Sequence, residues 1–135
     1  QIGVHICLGD LNNIALTQAK TLDKMVKFSN LMTKNWSSKH PLVYVHYPLA
    51  EASTPPTANK DYYQPLGKIN LAQNVRFIAG FVHEESSAEE NEAILKIIED
   101  IRGTRVDIAC SCGLGRRSAE TAKRLIHNMD ILSKV

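Results

Sequence analysis

Ile108-Ala-Cys-Ser-Cys-Gly-Leu-Gly-Arg-Arg117 is the stretch on which the reading of this chain turns. An apolar run, Val106 to Ala109, has the character of a β-strand and ends in two thiols, two glycines and two arginines. A pattern with helical spacing begins at Ser118 and runs to about Leu132. Strand, tight glycine-bearing turn and helix start follow one another. In α/β proteins the carboxyl end of a strand is where chemistry is placed, and Cys112 sits there. Working outward, His5 and Cys7, then His46, then His83 hold the same place at the ends of three other apolar runs. Four strand ends carrying His or Cys define the candidate site.

The rest of the chain supplies the scaffold. Ile2 to Leu8 reads as a buried strand with His5 and Cys7 on one face, because side chains alternate along a strand. Gly9-Asp10 and Asn12-Asn13 make a loop. From about Thr17 to Thr33, Leu22, Met25, Val26, Phe28, Ser29 and Met32 recur at helical spacing. Pro41 and Pro48 bound a strand over Leu42 to Tyr47, an apolar run that suits a strand covered on both faces. Ala50 to Asn59, rich in Pro, Thr and Ala, is an irregular loop, and Tyr62 to Ile69 holds a short helical turn. Val75 to His83 is the third strand. Ser86 or Ser87 caps the next helix, Glu89 and Glu90 fall where its dipole favours acids, and Gly103 stops it.

Strand and crossover alternating in this way predict parallel βαβ units. An open doubly wound sheet gathers its site at one crevice, whereas a (βα)8 barrel brings every strand end to one mouth. His and Cys spread over all the strand ends favour the barrel. A complete barrel needs about 250 residues and this chain has 135. The expectation is half a (βα)8 TIM barrel, about four parallel βα units filling residues 1–135. The chain opens at Gln1 and enters a strand almost at once, as a piece of a longer polypeptide does. Unpaired edge strands and an uncovered apolar face should then drive association, with the missing barrel half or with another copy.

Composition narrows the function classes. Hydrophobic residues at 44% and charged residues at 22% are ordinary for a soluble globular domain. A formal charge of +2 argues against a large nucleic-acid surface. No apolar run approaches the roughly 20 residues of a membrane span, and no charged-then-apolar leader opens the chain. Small molecules, rather than nucleic acid or a membrane, are the expected partners. Three cysteines do not make a disulfide framework; they fit a reduced, cytoplasmic compartment with thiols free for metal or chemistry.

His5-Ile6-Cys7 puts an imidazole and a thiol on one strand face, the N and S donors that zinc takes in tetrahedral sites. Cys112 is the third candidate ligand; Cys110, two residues deeper, reads as a core thiol. His46 is a fourth ligand, a substrate contact or a core histidine. His83, followed by two acids, suits a proton shuttle tuned by a carboxylate. Asp10 can orient His5, accept a proton or form an Asx turn. Gly113-Leu-Gly-Arg-Arg117 before a helix can bind an anionic substrate through backbone N–H groups and the guanidinium groups of Arg116 and Arg117, or be a tight turn with solvated arginines.

Four segments in order, Val4-His-Ile-Cys-Leu-Gly-Asp10, Val43-Tyr-Val-His-Tyr-Pro48, Phe77-Ile-Ala-Gly-Phe-Val-His83 and Cys112-Gly-Leu-Gly-Arg-Arg117, span nearly the whole chain. Together they resemble the C-terminal catalytic part of cobalamin-independent methionine synthase-like proteins. Those belong with uroporphyrinogen decarboxylase in one TIM-barrel superfamily, and the strand ends are most similar to a single-barrel branch of it. The resemblance implies the C-terminal half of the barrel, with zinc bound by His5, Cys7 and Cys112, and His83 as the catalytic histidine. It implies transfer of a methyl or alkyl group from a small-molecule donor to a small-molecule thiol that zinc activates. The strand end that carries a glutamate ligand in the family carries His46 here. The fourth position is therefore left to His46, to nearby Glu51 or to water. Two alternatives stand beside this: a metal-independent decarboxylase-like enzyme using the arginines as carboxylate anchors, and a barrel that binds ligand without turnover.

Overall fold

The computed structural model describes residues 1–11, 14–16, 19–51 and 53–135, with the side chains of residues 10, 11, 14, 15 and 116 outside that description. The Asn12-Asn13 pair and Thr17, expected in the first loop and at the first helix start, lie outside the described residues. The chain begins with β1 (Ile2–His5), a short antiparallel pair β2 (Asp10–Leu11) and β3 (Ile14–Ala15), and α1 (Asp23–Lys34). Next come β4 (Leu42–Pro48) and α2 (Lys60–Tyr63), which runs into a 3-10 turn over Gln64–Lys68. The chain closes with β5 (Arg76–Val82), α3 (Ala88–Arg102), β6 (Asp107–Cys110), a 3-10 turn over Leu114–Arg116 and α4 (Ala119–Leu132).

β1, β4, β5 and β6 form one sheet, every pair parallel and the strands side by side in chain order. The parallel α/β expectation therefore holds. His5 pairs with His46, Val45 with Phe77 and Ala79 with Ile108. This register separates two faces. Val45, Tyr47, Phe77, Ala79 and Phe81 point to one side and are buried in a single apolar core with Leu22, Val26, Ile94, Ile98 and Leu125 of the helical segments. Tyr47 hydrogen-bonds Ser29 of α1, and the Arg102 guanidinium of α3 lies 5.1 Å from the centre of the Phe77 ring. The helices thus cover that side.

The other face carries Gly3, His5, Tyr44, His46, Arg76, Ile78, Gly80, Asp107 and Ala109. It is open at its edges: Gly3 and His5 are exposed, as are Tyr44 at 38% and Arg76. The β4 run was expected to be covered on both faces; instead its exposed and buried positions alternate in the middle of the strand.

The helix ends follow the sequence closely where caps exist. Ser87 and Glu90 form a reciprocal capping box at α3, and Gly103 ends that helix with φ of 68°. The Ser118 side chain accepts from the Thr121 N–H at the start of α4. The first helix departs from expectation: it begins at Asp23 with no side-chain cap, held instead by buried Leu22 and by a local bond from the Asp23 N–H to Thr21 Oγ1. Phe28, assigned to its apolar face, is 57% exposed, because Leu22, Met25, Val26 and Ser29 already fill the stripe that faces the core. Strand ends are also shorter than the apolar runs, at His5 rather than Leu8 and at Cys110 rather than Cys112. No helix among the described residues is long and apolar enough to cross a membrane.

Candidate functional site

All four sheet strands run the same way, so their carboxyl ends lie along one rim, and His5, His46, His83 and Cys112 are at or just beyond those ends. His5 and His46 stand opposite each other in register and their rings meet edge to edge, with centroids 4.7 Å apart and planes at 29°. The two Nδ1 atoms are 2.7 Å apart, and His46 Nε2 is 3.1 Å from the Cys110 carbonyl oxygen. His46 is on β4 and Cys110 on β6, so the imidazole crosses the intervening strand β5. It does so above Gly80, where a Cβ would stand 2.3 Å from His46 Nε2. Burial lowers the His5 imidazole. Burial first, and the neighbouring His5 second, push His46 down to about 4 against a smaller opposing effect of the Cys110 carbonyl.

Cys7 lies beyond the paired part of β1, so strand pairing does not place it as expected. Alternation nevertheless carries one step further: the Ile6 N–H donates to His46 O at 3.0 Å and Ile6 is buried, whereas His5 and Cys7 are both exposed. Cys7 Sγ accepts from the Gly9 N–H at 3.3 Å, a turn that Gly9 permits with φ of 84°. Asp10 opens β2, and its side chain lies outside the described residues.

The three cysteines are free thiols, Cys7 beside β1 and Cys110 and Cys112 at the far edge of the sheet. Cys110 is buried, as a core thiol should be; burial pushes it up, and its Sγ donates to the Cys112 carbonyl at 2.8 Å. Cys112 is partly exposed. β1 and β6 are opposite edges of the sheet, three strand spacings or roughly 14 Å apart. Among the described residues no three His, Cys, Asp or Glu side chains gather around one point. His5 and Cys7 thus have the chemistry of a zinc site's N and S ligands, but the set completed by Cys112 does not fit a single ion in this arrangement. Glu51, the other candidate for the fourth position, has its charge beside Tyr62, a phenol raised to about 12 by burial first and by that carboxylate second.

His83 follows β5 and is 1% exposed. Its Nδ1 accepts from the Glu85 N–H at 3.2 Å, while Nε2, 3.9 Å from Glu84 Oε2, is buried with no hydrogen-bond partner among the described residues. Arg117, expected to hold an anionic substrate, is instead buried against Glu84, its Nε 2.9 and 3.0 Å from the two carboxylate oxygens. Burial works to raise the Glu84 carboxyl, but its own backbone N–H, Arg117 and His83 outweigh it and hold the group below its usual range. The Arg117 side chain is therefore a buried counter-charge, and the Arg116 side chain lies outside the described residues.

Two features of this rim were not read from the sequence as parts of a site. The Glu84–Arg117 pair joins residues 33 apart on successive βα units, and no local pattern announces it. Gly80 has a signal, a lone glycine in the middle of an apolar strand, which marks close approach by another group. Two larger depressions open on the opposite, amino-terminal side of the sheet, one walled by Lys27, Trp36, His40 and Asn74 and the other by Arg76, Glu99, Arg105 and Asp107. None of the candidate residues lines either.

Comparison of the chain with protein-family models, curated proteins and solved structures finds no match.

Proposed function

We propose that this chain is the C-terminal half of a (βα)8 barrel enzyme that transfers a methyl or other alkyl group to a small-molecule thiol, as cobalamin-independent methionine synthase-like proteins do. One observation supports this most: a parallel sheet in strict chain order, covered by helices on one face only, with His or Cys at every strand end on one rim. An open doubly wound sheet reverses its strand order and carries helices on both faces; these four strands do neither. All-parallel sheets are normally covered on both sides, and the other half of a barrel is the cover this open face suits.

In this reading His5 and Cys7 would give a zinc ion two ligands and Cys112 the third, as the resemblance implies. Zinc, when bound, supplies the positive charge that keeps an acceptor thiol in its nucleophilic thiolate form at neutral pH. His83, buried beside Glu84, is the proton-transfer group. The decarboxylase alternative is weakened on one point, because the guanidinium it would use at Arg117 is already committed to Glu84.

The test uses the intact polypeptide and measures zinc per chain after zinc-replete expression, in the wild type and in Cys7→Ser and Cys112→Ser. One zinc in the wild type and its loss in both variants is expected. No zinc in the wild type, or unchanged zinc in both variants, refutes the reading. Alkylation of a thiol by candidate methyl donors then separates an enzyme from a barrel that only binds.

A further inference from the structure

We propose that the cleft beside the C-terminal half of α1 is a binding site for a small organic anion with a flat apolar body. The inference is independent of the methyl-transfer reading, since none of the rim residues lines this cleft. Its volume is about 820 Å³, and small-molecule sites run from about 300 to 1,000 Å³. Its walls are the helix, the turn that leads into β4 and the segment that leads into β5. These walls are tied together by hydrogen bonds. Asn30 of α1 donates through Nδ2 to Lys68 O at 2.8 Å, and its Oδ1 accepts from the Asn70 N–H at 2.9 Å. Trp36 Nε1 donates to His40 O at 2.6 Å, which pins the indole across the turn. The shape of the cleft is thus set by the protein's own bonds.

The lining combines apolar surface with positive charge. Leu31 is 62% exposed, and half-buried Trp36 lies in the same lining. With its N–H committed to His40 O, Trp36 offers a ligand its ring surface, which suits a flat apolar partner. Lys27 and Lys34 stand on one face of α1, about 10 Å apart along its axis, and His40 adds an imidazole. None of the residues lining the cleft is acidic, and neither lysine is ion-paired among the described residues. The neighbouring depression is the contrast: it holds Glu99 and Asp107 beside its arginines, and Asp107 is 2.7 Å from Arg76. Free carbonyls at the end of α1 would repel an anion, but these are taken. Leu31 O accepts from both the N–H and the Nδ2 of Asn35, and Thr33 O from the Trp36 N–H. An anionic head near the lysines, with its flat body against Leu31 and Trp36, matches both parts of the lining.

Trp36 is the one tryptophan of these 135 residues, so its indole N–H resonance in NMR reports on this cleft. The intact polypeptide is titrated with 2-naphthoate, with 2-naphthyl phosphate and with the neutral 2-naphthamide, three probes that share one flat body. At least one of the two anions should shift the Trp36 resonance saturably, with Kd at or below about 1 mM, and the amide should bind about 3–10-fold more weakly. The tighter of the two anions identifies the head group as carboxylate or phosphate. Lys27→Gln combined with Lys34→Gln should weaken the anion by about 3–10-fold and leave the amide unchanged. Both lysines are exposed, so the double variant keeps its fold. No saturable shift with either anion up to about 1 mM, an amide that binds as tightly as the anions, or an anion affinity that the double variant does not change overturns the proposal.

Discussion

Gly80→Ala is the sharpest probe of how the open face of the sheet is built. The added methyl would meet His46 Nε2 at 2.3 Å and the backbone oxygens of Tyr47 and Cys110 at 2.8 and 3.0 Å. The imidazole can swing away, but the Tyr47 oxygen belongs to a strand and can move only with it. Overpacking of this kind costs about 1–3 kcal/mol. Displacing His46 also breaks its bond to the Cys110 carbonyl, a further loss of about 0.5–1.5 kcal/mol. Reduced freedom of the unfolded chain returns about 0.4–1 kcal/mol, leaving a net destabilisation of about 2 kcal/mol. At about 2–4 °C per kcal/mol, Tm should fall by about 4–8 °C. Gly113→Ala is the control: φ there is −60° and nothing lies within 4 Å of the new methyl, so it should melt at or slightly above the wild-type temperature. Thermal melts followed by circular dichroism, with the His46 ring resonances monitored by NMR, provide the assay. A Gly80→Ala protein that melts like the wild type with unmoved His46 resonances would show that the imidazole does not cross β5, and its bond to the Cys110 carbonyl would go with it.

Other expectations follow from the same structure. Ser87→Ala removes one half of the α3 capping box and should cost about 1 kcal/mol in urea denaturation, with little change in the m-value. Glu84 is held below the usual carboxylate range, so the stability it brings is fully present above its unfolded value near 4.5 and is lost as pH falls through the lower folded value. Glu84→Gln should therefore flatten the acid limb of stability against pH, and an unaltered limb would deny the Arg117 pairing its role. Under the proposed function, His83→Gln should lower turnover by about 10²–10⁴-fold and leave zinc per chain unchanged. Wild-type turnover in that variant would remove His83 from the mechanism.

Much of the fold was legible in the chain because it is written in local terms. Ser87, Glu90 and Gly103 announce both ends of α3 through bonds made within a few residues, and Ser118 does the same for α4. The apolar runs from Leu42 to Tyr47 and from Val75 to His83 became β4 and β5, and alternation with helices became a parallel sheet. Strand ends were overestimated: β6 stops at Cys110, opposite Val82 at the end of β5, and β1 stops at His5 although β4 runs on to Pro48. The exposure of Phe28 was not legible either, because a helical stripe is wider in sequence than the strip of sheet it packs on.

The site divides along the same line. Sequence alone determined which residue types reach the strand ends, His5, His46, His83 and Cys112, because a strand carries its last residues to the rim whatever its neighbours are. Only the tertiary structure decided which of them meet. It joined His5 to His46 and His46 to the Cys110 carbonyl, set His5 and Cys112 at opposite edges of the sheet, and turned Arg117 from an exposed anchor into the buried partner of Glu84. Those outcomes depend on strand order and register, which place residues 41 or 33 positions apart in contact. No periodicity or local propensity encodes distances of that kind; they are set when side chains on separate βα units pack against one sheet.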